Sequence, residues 1–278
     1  MSIWAHSLIR NEERYIWYAL RSVVDYVDRI MVWDTGSTDR TVEIVESLRK
    51  DFPQKIFLKK FGSVTPEKYT ELRQKMLDET DSDWFMVLDG DEVWWNDSIR
   101  IITDKIKSVG GRLESIVNPY INLVGDIFHI IPANKGKYLI DGRLGHQSIR
   151  FINRKIPGLY TSKPHGQHGY FDKEGSLIQD RNPDNRIYLD VNYLHFTHLQ
   201  RSSNIDLDKA VPKRAQKLKY ELGIPLPTDY YYPEVFFMDR PTLVPSPWRR
   251  MKNDFLIKSF FLAPLKIVKS HLSFKSGY

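Results

Sequence analysis

Up to Leu88 the chain alternates short apolar runs with amphipathic stretches. Ile3-Trp4-Ala5-His6-Ser7-Leu8-Ile9 reads as a buried strand. From Glu12 to Tyr26 the apolar positions Ile16, Ala19, Leu20, Val23 and Val24 recur at helical spacing. A strand from Ile30 to Trp33 follows, then a helix from Thr38 to Lys50 carrying Val42, Ile44, Val45 and Leu48. Lys55 to Phe61 reads as a third strand, Pro66 to Glu79 as a helix, and Trp84 to Leu88 as a fourth strand. Such alternation predicts an α/β fold: a mostly parallel sheet with right-handed crossovers and helices on its faces.

After Asp97 the pattern loosens. Ile99 to Val109 looks helical, and shorter strands are expected at Leu113 to Val117, Ile127 to Ile131, Lys137 to Leu139, Ser148 to Ile152 and Tyr188 to Phe196. Gly and Pro punctuate Pro132 to Gly175, as in loops over a site. Asp206 to Leu222 reads as a helix, with Ser202, Ser203 or Asn204 as its cap. A Pro- and Tyr-rich linker, Pro225 to Pro247, leads to a tail in which Pro264 should interrupt any single helix. The division expected is a catalytic α/β domain over 1–200 and a helical or extended C-terminal region over 201–278.

Two acidic clusters stand at the ends of apolar runs. Asp34-Thr35-Gly36-Ser37-Thr38-Asp39 follows Arg29 to Trp33, and Asp89-Gly90-Asp91-Glu92 follows Trp84 to Leu88. The carboxyl ends of parallel strands are where open α/β sheets bind ligands. The first cluster also reads as a tight strand-to-helix turn, with Ser37 or Thr38 capping the next helix. That turn does not account for an acid at the strand end, where Asp34 suits a nucleoside base or ribose hydroxyl. Neighbouring carboxylates such as Asp89 and Asp91 repel unless a cation compensates them, which makes them a seat for a hard divalent ion and the phosphates it bridges.

Composition narrows the class. The 278 residues suffice for a full core, and with 41% hydrophobic and 13% aromatic residues the chain is globular. No cysteine is present, which excludes disulfides and thiolate metal sites and fits a reducing compartment. No stretch reads as a signal peptide, and no apolar run is long enough to span a bilayer. From Trp248 to Tyr278 seven basic residues face Asp254 alone, so the net charge of +6 belongs to this tail. A nucleic-acid binder would spread its charge over the folded surface, so that class is set aside. Phe255, Leu256, Phe260, Phe261 and Leu262 interleave with Lys258, Lys266 and Lys269, which suits either an anionic membrane surface or a helix packed on the domain. The localisation expected is cytoplasmic, peripheral at the inner face of a membrane.

Taken in order, Ser7-Leu8-Ile9-Arg10-Asn11-Glu12-Glu13, Val32-Trp33-Asp34-Thr35-Gly36-Ser37-Thr38-Asp39-Arg40-Thr41 and Leu88-Asp89-Gly90-Asp91-Glu92 resemble family-two glycosyltransferases of the glycosyltransferase A fold. The resemblance covers about residues 1 to 200. It implies an inverting, metal-dependent transfer from a nucleotide-diphosphate sugar to a hydroxyl of a glycan, lipid-linked or protein acceptor. By the same resemblance Arg10, Glu12, Asp34 and Asp39 hold the nucleoside, with Arg73 and Asp89 near the nucleotide's diphosphate. Asp89 and Asp91 would ligate Mn²⁺ or Mg²⁺. An inverting transfer needs a base. Where many relatives carry a His-Glu pair this chain has Pro164-His165-Gly166, leaving His165 itself, Asp172 or Glu174. Of His195 and His198, which point to opposite faces of a strand, His198 is the candidate third metal ligand. Two rival classes stay open: a haloacid-dehalogenase-like phosphatase, whose nucleophile and acid also form Asp-x-Asp, and a non-catalytic relative that binds a sugar nucleotide or glycan.

Overall fold

The computed structural model describes residues 1–164 and 169–272, with side chains described except at 110 and 263–272. Its first half follows the apolar pattern closely. Strand β1 (Ile3–Ile9), helix α1 (Ile16–Val23), β2 (Arg29–Asp34), α2 (Thr41–Asp51), β3 (Ile56–Lys60), α3 (Pro66–Asp78) and β4 (Trp84–Val87) succeed one another. Then come β5 (Glu92–Trp94) and α4 (Asn96–Val109). Helix α3 starts where Thr65 Oγ1 accepts the Lys68 amide, with Pro66 at its first position. Helix α1 is shorter than its apolar spacing suggests, because Asn11 takes a left-handed turn (φ +53°) and the next residues remain a loop at the strand end.

The second half supplies β6 (Ser115–Pro119), β7 (Ile121–Val124), β8 (Asp126–Ile130), β9 (Tyr138–Ile140), β10 (Arg143–Gly145) and β11 (Gln147–Asn153). The hairpin β12 (Tyr160–Ser162) and β13 (Gly169–Phe171) precedes β14 (Arg186–Tyr188) and β15 (Tyr193–His195). The single strand expected over Tyr188 to Phe196 is therefore two, which belong to different sheets. The helix expected over Asp206 to Leu222 is also two short pieces, α5 (Ile205–Lys209) and α6 (Arg214–Lys217), with Pro212, which has no amide to donate, in the break between them. After β16 (Ile224–Pro225), one helix, α7 (Asn253–Leu272), runs through Pro264 without the interruption expected there.

A seven-stranded sheet in the order β14-β6-β11-β4-β1-β2-β3 forms the centre. β4, β1, β2 and β3 are parallel, and β11 runs antiparallel between β4 and β6. A second sheet, β16-β8-β7-β15-β5, packs beside it. Its key register pairs His195 with Glu92. The tail is docked at its start: Met251 N donates to Asp126 Oδ2 (2.9 Å), and Phe255 lies against Tyr220. No helix among the described residues is long and apolar enough to cross a membrane.

His6, on β1, shows what burial in this sheet does. Thr80 Oγ1 gives its hydrogen to the Met76 carbonyl, so His6 Nε2 donates to Thr80 at 2.6 Å. Burial, followed by the charges of Arg73 and Arg154, pulls the imidazole down to about 3. Unfolded His6 takes up a proton below about pH 6.5 while folded His6 does not, so stability should fall by about 1.4 kcal/mol per pH unit from pH 6.5 toward pH 4. Thermal melts of wild type and His6→Gln across that range check this: the variant should have the flatter profile, and parallel profiles would reject it.

Candidate functional site

The carboxyl ends of β1 and β4 open into a cleft of about 430 Å³, closed on its far side by β11, β15 and the segment from Arg201 to Lys217. Asp89, Gly90 and Asp91 form its floor. Gly90 has no room for a side chain, because a Cβ there would come within 2.8 Å of Glu12 Cγ.

Each floor carboxylate meets at least one buried or half-buried guanidinium group. Arg73 on α3 reaches Asp89 Oδ1 at 3.5 Å, and Arg150 on β11 reaches Asp89 Oδ2 at 3.3 Å. Burial works against the Asp89 charge, but Arg150 and Arg73 outweigh it and hold the carboxyl below its usual range. Arg150 also pairs with Glu92, which lies wholly buried beneath the floor. Burial there raises Glu92 to about 8 against the pull of Arg150, with Asp89 and Asp91 adding to the rise. Arg201 Nη1 lies 3.0 Å from both Asp91 Oδ2 and Glu12 Oε1. Arg214 pairs with the same Glu12 oxygen and with Asp208, and donates to the carbonyls of Arg10 and Asn11. Burial raises Glu12 to about 7 despite these two arginines. The first loop and the Arg201–Lys217 segment are thus clasped together under the cleft.

His195 Nε2 lies 3.5 Å from Asp91 Oδ2. Burial lowers the imidazole to about 3, so it is neutral and offers a lone pair. Asp91 Oδ2 is in ion-pair contact with Arg201 but accepts no hydrogen bond. A carboxylate oxygen without a donor beside a neutral imidazole suits Mn²⁺ or Mg²⁺ chemically. Yet no group of three or more His, Cys, Asp or Glu side chains among the described residues is arranged to hold a metal. The protein alone offers two ligands of that kind here, Asp91 and His195.

The family model "Glycosyl transferase family 2" matches residues 8–143. Residues 8–143 therefore carry the family 2 glycosyltransferase pattern. The chain is 27% identical over 161 residues to the SPbeta prophage-derived glycosyltransferase SunS of Bacillus subtilis (strain 168), a match covering 54% of this chain. That match spans 35% of the relative's length, so the chain accounts for about a third of it. Among solved structures, S. aureus TarS 1–349 in complex with UDP-GlcNAc superposes with a TM-score of 0.50 at 13% identity, over 78% of this chain and 66% of that one. This last likeness is one of fold, and the glycosyltransferase A architecture expected from the sequence holds.

The residues singled out from sequence take different places. Arg10, Glu12, Arg73, Asp89 and Asp91 line the cleft, although Glu12 faces the two arginines of the clasp. Asp34 is spent on its own turn, accepting the amides of Gly36 (3.0 Å) and Ser37 (3.1 Å), and Thr35 lines the cleft in its place. Gly36 has φ +93°, and a Cβ there would strike the Ser63 backbone. Asp39 accepts from the Thr41 amide and hydroxyl, closing the next helix start. His198 faces away, bonded through Nδ1 to the Lys217 carbonyl at 2.7 Å, so the histidine beside Asp91 is His195. Asp172 does not line the cleft: its oxygens accept the amides of Glu174 and Ser176 and pair with Arg181, itself held by Glu114. That geometry removes Asp172 as an acceptor-side base. His165 lies outside the described residues. Arg201, Arg214 and Lys217 line the cleft from beyond residue 200, so the boundary expected there cuts through the site.

Proposed function

We propose that the chain transfers a sugar from a nucleotide-diphosphate donor to an acceptor hydroxyl with inversion, aided by Mn²⁺ or Mg²⁺. One observation carries this reading. Seven cationic side chains (Arg10, Arg73, Arg150, Arg201, Lys213, Arg214, Lys217) line a cleft holding three carboxylates, at the strand ends where such sheets bind nucleotides. In the transfer, the acceptor oxygen bonds to the anomeric carbon as its bond to the diphosphate breaks. Negative charge grows on the leaving nucleoside diphosphate, and fixed guanidinium groups stabilise it without reorganising. Asp91 and His195 would hold a divalent cation, which supplies further positive charge to the leaving group. The acceptor's proton passes to a base, and His165 is the residue we assign.

A phosphatase needs a free aspartate nucleophile. Both oxygens of Asp89 are instead paired with Arg73 and Arg150, which favours the transferase. The acceptor is a glycan, a lipid-linked glycan or a protein.

The test is a panel of nucleotide sugars with Mn²⁺ or Mg²⁺, reading release of nucleoside diphosphate. A uridine donor is the first probe, since the TarS structure of similar fold was solved with UDP-GlcNAc. Release from one donor is the expected result; phosphate release from simple phosphomonoesters instead would reject the reading. His165→Ala should cut transfer by about 10²-fold or more while sparing donor binding. Near-wild-type transfer would take His165 out of the mechanism.

We further assign the tail a peripheral membrane role on the cytoplasmic side. Ile257, Phe260 and Phe261 on α7 are 58%, 71% and 68% exposed, beside basic residues. The full chain should co-sediment with anionic vesicles, and Phe260→Asp with Phe261→Asp should release it. Failure of the wild type to sediment would end the proposal.

A further inference from the structure

Positive charge in the cleft exceeds what its carboxylates need. Arg10, Lys213 and Lys217 all line it, and among the described residues no carboxylate lies within ion-pair distance of any of the three. The acids are taken: Asp89 by Arg73 and Arg150, Asp91 by Arg201, Glu12 by Arg201 and Arg214. Unpaired cations gathered at one cleft repel one another and attract an anion, which relieves that repulsion when it arrives.

The metal side of the site is the reverse. A divalent cation would find Asp91, already beside Arg201, and one imidazole. Mg²⁺-like ions dehydrate reluctantly, and one or two carboxylates hold them only when substrate phosphates complete the shell. The protein's own ligands therefore fall short before a donor is present, whereas Arg10, Lys213 and Lys217 line the cleft without needing a metal.

We propose that the donor's diphosphate binds first, on Arg10, Lys213 and Lys217, with no divalent cation, and that its phosphates then complete the cation site at Asp91 and His195. This order rests on the nucleotide-sugar reading above. It implies that a cation strengthens donor binding and that the donor strengthens cation binding by the same factor, since coupling between sites is reciprocal.

Calorimetric titration of the full chain tests the order. UDP, GDP, ADP and inorganic pyrophosphate are titrated in EDTA and in Mn²⁺, and Mn²⁺ is titrated alone. The expected result is that one nucleoside diphosphate binds in EDTA and binds more tightly with Mn²⁺, while Mn²⁺ alone shows no saturable binding. Lys213→Ala with Lys217→Ala, both at exposed positions, should weaken binding in EDTA by about tenfold or more, equivalent to losing one good charge contact. Wild-type affinity in that variant would overturn the assignment of these lysines. Binding of Mn²⁺ alone, with nucleotide binding only in its presence, would overturn the order yet leave the transferase reading standing. If no nucleoside diphosphate binds under either condition, both fall. Pyrophosphate binding as tightly as any nucleotide would show that the cleft reads only a diphosphate and would overturn its assignment to a nucleotide donor.

Discussion

Replacing Arg214 with methionine should destabilise the protein by about 3–5 kcal/mol, the usual cost of breaking a buried ion network by removing one partner. Arg214 is 5% exposed, and its guanidinium serves Glu12, Asp208 and the carbonyls of Arg10 and Asn11. Methionine fills much of the same volume, so the loss is one of polar partners rather than of packing. Four acceptors, three of them buried, would lose a donor, and Asp208, wholly buried, would keep only the amides of Arg201 and Ser202. At about 2–4 °C per kcal/mol for a chain of this size, the melting temperature should fall by about 10 °C. A fall of less than about 2 °C in differential scanning calorimetry would mean that the clasp adds little stability. Arg201→Met should also be costly, because it leaves the buried Asp91 without its guanidinium, although the rest of the clasp survives. The main-chain carbonyl at 201 still accepts the Arg14 amide, and Glu12 keeps Arg214.

The clasp also shows what sequence can and cannot reveal about this molecule. The parallel half of the sheet was legible because buried strands such as β2 and β4 concentrate apolar residues, and an acid directly after such a run has few places to be but the sheet's edge. Asp89 and Asp91 were found that way. Asp34 satisfied the same rule and yet is absorbed by its own turn, because a carboxylate two residues before a left-handed glycine is well placed to accept that turn's amides. Arg150, Arg201 and Arg214 carried no such signal. An arginine in a loosely patterned stretch reads as solvent-facing, and only the fold shows that acids separated from it by many residues converge on it. His195 and His198 could not be separated by strand periodicity alone. The choice is made by the antiparallel pairing of β15 with β5, which sets His195 opposite Glu92. Pro212, a breaker inside an otherwise helical pattern, was the one local sign that the segment from Asp206 to Leu222 would fold as a strap.

Asp91→Asn should abolish most transfer while leaving donor binding in EDTA intact. The substitution keeps the shape of the floor and removes the charge that a cation needs. If the cation contributes several kcal/mol to stabilising the leaving diphosphate, its loss should lower turnover by about 10³-fold, at 1.36 kcal/mol per factor of ten. Neutralising Asp91 also frees Arg201, which lies 3.0 Å from it, to meet a phosphate instead. Nucleoside diphosphate affinity in EDTA should therefore stay level or rise, while the gain on adding Mn²⁺ disappears. Steady-state transfer and calorimetric binding on the same preparation separate the two effects. Equal losses of turnover and of cation-free affinity would show that Asp91 holds the donor directly, and that the arginines around it serve the fold more than the phosphates. A loss confined to turnover would divide the floor into two tasks: Asp91 serving the step in which the sugar leaves, and the surrounding cations serving the capture of the donor.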